Sequence, residues 1–288
     1  MGPMVSIIIP VYNGDKYIKK CLDSLSRQTL PASQYEIIIV DNGSTDNSIR
    51  IAESYRTRTV KELKRGSYAA RNTGVKIARG KLIGFTDIDC LAAADWLEQA
   101  VKCYHDNKNV DIIAGKVDFI SDQPLNVWGY FDQNTFLNQE YAIKSGSAKT
   151  ANMFVKRSLF GKVGFFDDSL FSGGDVYWTA KAVEKGAAIY YHPAAVVYHP
   201  VRNNFREIGA KCFRVGYGKG QLLRKGKEGW SDSTINVNHL KHPFSLLGNG
   251  LAQKKEKKSM FFLVRMMVAV FILTIIFLAG MIRGGLKQ

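Results

Sequence analysis

Two short runs constrain this chain more than any other feature: MVSIIIP at Met4 to Pro10 and YEIIIV at Tyr35 to Val40, each apolar at nearly every position. A strand with one wet face alternates apolar and polar residues, so a strand apolar throughout must be covered on both sides. Between the two runs, Asp15 to Leu25 places Tyr17, Ile18, Cys21, Leu22 and Leu25 on one helical face. Thr45-Asp46 can cap a helix after the second strand, and a helix over Ser67 to Ala78 then leads into a strand at Lys81 to Thr86. Ala92 to Tyr104 and Val176 to Glu184 read as further helices, the latter ended by Gly186; Val110 to Ile120, Ala151 to Lys156 and Ala195 to Tyr198 read as strands. This alternation predicts an α/β fold with a mainly parallel sheet flanked by helices, where ligands bind beyond the carboxyl ends of the strands. The turns at those ends are Tyr12-Asn13, Asp41-Asn42-Gly43-Ser44 and Asp87-Ile88-Asp89.

The 288 residues suffice for one large domain with an appendage. Forty Lys and Arg against 25 Asp and Glu give a net charge of +15, which favours an anionic partner without choosing among phosphorylated ligand, acidic lipid and nucleic acid. Cys21, Cys90, Cys103 and Cys212 are scattered and form no Cys-x-x-Cys pair, so a zinc site or disulfide framework is not expected.

Asp87 and Asp89 end an apolar strand, where paired carboxylates suit a hard divalent ion bridging to a diphosphate; Asp-x-Asp is also common in surface turns. Arg71 lies in the first turns of a small-residue helix, a place where Arg can hold phosphate oxygens or simply pair with a surface acid. Asp175, after two glycines at the start of a helix, can cap that helix. His199 follows the last strand in VVYHP, the place of an ordinary strand-end histidine.

Four ordered motifs make the chain resemble glycosyltransferase family 2, inverting enzymes of the GT-A fold: SIIIPVYNG at 6–14, IIIVDNGSTD at 37–46, AARNTG at 69–74 and FTDID at 85–89. The resemblance covers roughly Val5 to His199. It implies a donor that is a UDP- or GDP-sugar and a divalent cofactor, Mn²⁺ or Mg²⁺. It places Pro10, Val11, Tyr12 and Asn13 around the nucleoside, Asp41 on the base, Arg71 on the diphosphate, and Asp87 between ribose and metal. Asp89 and His199 would ligate the metal, and Asp175 would be the general base. Family members usually carry an acid just before that aspartate; here Gly174 stands in its place. The Gln-x-x-Arg-Trp motif and multiple spans of processive relatives do not occur, which implies a single transfer per acceptor.

Beyond His199 the chain becomes basic, with Arg202, Arg206, Lys211 and Arg214 interleaved with Phe205, Ile208, Phe213 and Tyr217. That spacing permits an amphipathic helix on anionic lipid, or a solvated basic face. Lys254 to Lys258 then precedes an apolar stretch whose uncharged part, Met266 to Ile282, would be about 26 Å long as a helix against a hydrocarbon core of about 30 Å. With its flanks it can span, and the lysines would hold that end cytoplasmic; apolar residues on nearly every face argue against an in-plane helix. The expected organisation is a GT-A catalytic domain at 4–200, a basic membrane-proximal acceptor region at 201–259 and a single-pass anchor at 260–282. The acceptor would be a lipid or lipid phosphate at an anionic membrane surface. A nucleotidyltransferase shares the architecture but opens with a Gly-rich basic phosphate loop that Pro10-Val11-Tyr12-Asn13-Gly14 does not provide. A nucleic-acid-binding module accounts for the charge and leaves both the carboxylate turns and the apolar tail unexplained, so no nucleic-acid partner is expected.

Overall fold

A computed structural model describes residues 2–226 and 260–286; the Lys254 to Lys258 segment lies outside the described residues. Eight strands form one sheet: β1 (Val5–Val11), β2 (Tyr35–Asp41), β3 (Arg58–Lys61), β4 (Leu82–Thr86), β5 (Leu91–Ala92), β6 (Ile112–Ile120), β7 (Asn152–Lys156) and β8 (Ile189–Pro200), in the order β3-β2-β1-β4-β7-β6-β8-β5. The β1–β2, β1–β4, β2–β3 and β6–β8 pairings are parallel. Strand β7 runs antiparallel between β4 and β6, and β5 runs antiparallel to β8, so the sheet is mixed.

Apolar strands become two-sided because their period of two feeds two cores. Ile7, Ile9, Ile37 and Ile39 pack with Ile18, Leu22 and Leu25 of helix α1 (Asp15–Ser26). The intervening Ile8, Ile38 and Val40 join the opposite core with Phe85, Phe160, Phe166 and Trp178. Helix α2 (Ser48–Glu53) is tied to α1 by Asp46, whose Oδ2 accepts from the Asp15 amide at 3.0 Å and whose Oδ1 accepts from Ser48. Helix α3 (Ser67–Ile77) covers the second core, and α4 (Trp96–Asp106) covers the first. The α4 helix starts later than its periodicity predicts, because Ala92 is taken up as a strand residue opposite Val197.

The segment between β6 and β8 holds four helices besides β7: α5 (Val127–Thr135), α6 (Gln139–Lys144), α7 (Leu159–Val163) and α8 (Gly174–Glu184). Among the described residues, two more follow the sheet, α9 (Phe205–Arg224) and α10 (Met260–Gly285). They form a third core with α5, built on Phe131, Phe136, Ile208, Cys212, Val215, Met266, Val270, Leu273 and Phe277.

Helices α9 and α10 run side by side in the same direction with their backbones touching. A side-chain carbon on Gly216 or Gly220 would strike the backbone at Phe277 and Met281, and one on Gly280 or Gly284 would strike Phe213 and Tyr217. Small residues four apart on both helices allow this approach. The apolar C-terminal helix is therefore not a free tail. Each buried α10 side chain, Met266, Val270, Leu273 and Phe277, contributes roughly 1.5–3 kcal/mol. Deleting residues 259–288 is expected to lower the melting temperature in detergent by more than about 10 °C. Unchanged melting of the truncated chain would show that α10 is dispensable to the core.

Candidate active site

The turns after β1 and β4, the start of α3, the start of α8 and the inner side of α9 surround one cleft of about 350 Å³. Pro10, Val11 and Tyr12 form one end of its wall, where the guanidinium of Arg65 lies 4.2 Å over the half-exposed Tyr12 ring. Asn13 does not line the cleft. Its amide donates to Ser44 Oγ and its Oδ1 accepts from the Thr45 amide, so it locks the β1 and β2 turns together. Asp41 is buried behind the wall and accepts from the Ser44 amide at 2.8 Å, whereas its neighbour Asn42, which the sequence reading did not single out, reaches the cleft.

Arg71 pairs with an acid, and that acid is in the cleft: Nη2 lies 2.5 Å from Asp87 Oδ1, while the buried Nε has no partner. Asp89 Oδ2 faces His199 Nε2 at 3.5 Å and Arg202 Nη2 at 3.1 Å. His199 Nδ1 contacts its own chain at the Pro200 carbonyl, 2.7 Å away, which assigns the proton to Nδ1 and leaves Nε2, beside Asp89, to accept from Arg202 Nη1 at 3.4 Å. Burial holds the imidazole pKa below its usual value, against the pull of Asp89. Asp89, Cys90 and His199 bring ligand atoms within 4.8 Å of one another. Burial and the neighbouring carboxylates push the Cys90 thiol well up, so the fitting donors are a carboxylate oxygen and an imidazole nitrogen, a set that suits a hard or borderline divalent ion.

Asp175 lines the same cleft. It is not the helix cap: that position is Gly173, in the left-handed conformation at φ 77°, and Asp175 lies in the first turn of α8. Tyr68 Oη donates to its Oδ1 at 3.0 Å, and the amide and hydroxyl of Thr150 donate to its Oδ2 at 3.0 and 3.2 Å. The missing acid at 174 has a steric explanation. A Cβ on Gly174 would sit 2.8 Å from the Tyr68 ring, so the tyrosine fills the space that a side chain there would need.

The wall formed by α9 and the segment just before it is cationic. Arg202, Lys211 and Arg214 line the cleft, joined by Lys149, whose pKa burial pushes down to about 8 and whose Nζ donates to the Phe136 carbonyl. Lys211 corrects the picture of a helix with its basic residues on lipid: it is buried and bonded to Asp132 at 2.6 Å. Arg206 is exposed in the first turn of α9 and does not reach the cleft. Tyr68, Asp132, Lys149 and Thr150 carried no signal of their own, because each acquires meaning only from a partner distant in sequence.

Comparison with known proteins agrees with this architecture. Residues 6–164 match the model of "Glycosyl transferase family 2". The glycosyltransferase AglE of Haloferax volcanii is 38% identical over 227 residues, 76% of this chain and 74% of that protein. The mannosyltransferase PcManGT from Pyrobaculum calidifontis, solved with GDP-Man and Mn²⁺, superposes with a TM-score of 0.64 at 21% identity, covering 99% of this chain and 87% of the other. TarS 1–349 of S. aureus, solved with UDP-GlcNAc, gives 0.59 at 19% identity over 94% of this chain and 81% of the other. Fold and cleft define an enzyme of the GT-A class, a glycosyltransferase. The chain belongs to glycosyl transferase family 2.

Proposed function

We propose that the enzyme moves one sugar, with inversion, from a UDP- or GDP-sugar to a lipid-linked or membrane-proximal acceptor. The observation that carries this reading is the presence in one cleft of the Asp89–His199 pair and the Asp175 carboxylate. A divalent cation, Mn²⁺ or Mg²⁺, would be held by Asp89 and His199 with Asp87 and would offset charge on the diphosphate leaving group. Pro10, Val11 and Tyr12 hold the nucleoside, with Asp41 and Asn13 shaping the turns behind it. Arg71 steadies the diphosphate beside Asp87. Asp175 accepts the proton of the acceptor hydroxyl as its oxygen bonds to the anomeric carbon and the bond to the diphosphate breaks. Thr150 and Tyr68 fix that carboxylate in place. Lys149, Lys211 and Arg214 make the acceptor side favourable to an anionic group such as a phosphate, Arg202 adds positive charge beside Asp89, and the net charge of +15 favours an anionic membrane surface nearby. The nucleotide-sugar complexes of PcManGT and TarS support the choice of donor.

Nucleotide binding provides the test. UDP or GDP at about 100 times its Kd is expected to stabilise the folded enzyme by about 2.7 kcal/mol when Mn²⁺ or Mg²⁺ is present, read as a shift in melting temperature. Asp89→Ala should abolish the cation-dependent part. Equal stabilisation in excess chelator would remove the metal from the reading, and the responding nucleotide identifies the donor base.

A further inference from the structure

Helix α10 presents an apolar stripe that the rest of the described chain leaves uncovered. Val264, Val268, Phe271, Ile275, Leu278 and Ile282 recur every three or four residues and are between 42% and 68% exposed. On a helix this is a single face about 27 Å long. The opposite face is fully engaged: Met266, Val270, Leu273 and Phe277 enter the core shared with α5 and α9, and Gly280 and Gly284 touch the α9 backbone.

That engagement decides how a bilayer can meet this helix. A span is surrounded by lipid or by other spans, but α10 is flanked along its inner side by α9, and α9 belongs to the catalytic domain. Lys211 of α9 is bonded to Asp132, Gln221 accepts from the Phe171 amide, and Lys225 just beyond pairs with Asp167 at 2.6 Å. Setting α10 across a hydrocarbon core of about 30 Å would draw these charges and the cleft wall in with it, which the cost of intramembrane charge opposes. Apolar residues all round the helix argued against an in-plane position; that objection falls away once one side is covered by protein.

We infer that α10 lies in the plane of an anionic membrane surface, with its outer stripe in the headgroup–acyl boundary and the catalytic domain held on one side by α9. Amphipathic in-plane helices bury one apolar face to a depth of about 5–10 Å. The flanking cations fit: Arg265 and Arg283 are exposed near the two ends of the stripe, and the whole chain carries +15. Beside the stripe, an apolar groove of about 680 Å³ runs between α5 and α10, lined by Val127, Trp128, Phe262, Val268 and Ile272 with Arg265 at its edge. Trp128 packs near the exposed Phe205 there, and aromatic side chains of this kind favour the membrane interface. The inference is independent of which donor and acceptor the enzyme uses.

The experiment uses the full-length chain in sealed membrane vesicles whose orientation is verified by protease access to the catalytic domain. The native cysteines are all buried, so labelling by a membrane-impermeant maleimide reports on introduced ones. Arg265→Cys and Arg283→Cys are expected to label to similar extents from the catalytic side without detergent. If one of them labels only after permeabilisation, α10 spans and the inference fails. In a second arm, purified wild-type protein should co-sediment with phosphatidylcholine vesicles containing phosphatidylglycerol, and more weakly with phosphatidylcholine alone. Phe271→Glu/Leu278→Glu should melt cooperatively and remain in the supernatant. Lipid-free dimers that the double variant splits, with vesicle binding unchanged, would assign the stripe to a second copy of the chain and overturn the proposal. The labelling arm stands alone if the double variant fails to fold.

Discussion

Asp175→Asn is expected to lower single-turnover transfer by roughly 10²- to 10⁴-fold, the usual worth of a positioned proton acceptor. The surroundings of this carboxylate make the substitution informative. The amide oxygen can keep the two donors of Thr150, and the amide nitrogen can donate to Tyr68 Oη, since a phenol both gives and accepts. Helix α8 keeps its cap at Gly173 and gives up only the bond from the Val176 amide to Oδ1 and the first-turn charge, a loss of about 1 kcal/mol. Nucleotide affinity and melting temperature should therefore stay close to wild type while transfer collapses. A rate near wild type would remove Asp175 from the chemistry. Asp167 and Asp168 could not easily replace it, because the first is held by Lys225 and the second by Lys64, and neither lines the cleft.

The second large effect is expected at Gly174. Gly174→Glu introduces a side chain where the Tyr68 ring already sits, so the ring must move and its hydroxyl must leave Asp175. Overpacking of this kind costs about 1–3 kcal/mol, and the displaced carboxylate should reduce transfer by on the order of 10²-fold. Tyr68→Ala vacates the space. In that background the same glutamate should cost much less, a coupling of about 0.5–3 kcal/mol in a double-mutant cycle of denaturant midpoints. Additive costs would mean that Tyr68 and Gly174 do not share one space, and the steric explanation for the missing acid would be wrong.

Much of the catalytic half was readable in the sequence, for a physical reason. Strands β1, β2 and β4 are apolar on both faces, so their identity as central strands and the importance of the polar turns after them follow from local pattern alone. What escaped was direction, facing and partnership. Nothing in the apolar run at 152–156 distinguishes parallel from antiparallel, and β7 proved antiparallel to both its neighbours. The amphipathic spacing of α9 marks a two-sided helix without saying whether its sides meet lipid, solvent or protein; Lys211 turned inward because Asp132, far away in the chain, is there to receive it. Gly174 read as a gap in a motif, and only its neighbour Tyr68 explains it.

The backbone contact between α9 and α10 also sets an order of events during synthesis. The strands, the Asp87–Asp89 turn and Asp175 have all left the ribosome well before Gly280 and Gly284 emerge to seat against Phe213 and Tyr217. A nascent chain can thus form its sheet and the turns after β1 and β4 early, while the α9 wall bearing Lys211 and Arg214 waits for Gly280 and Gly284 to seat against it. Frameshifts or proteolytic nicks downstream of every recognisable motif would leave the motif residues intact and still deprive the cleft of a settled wall.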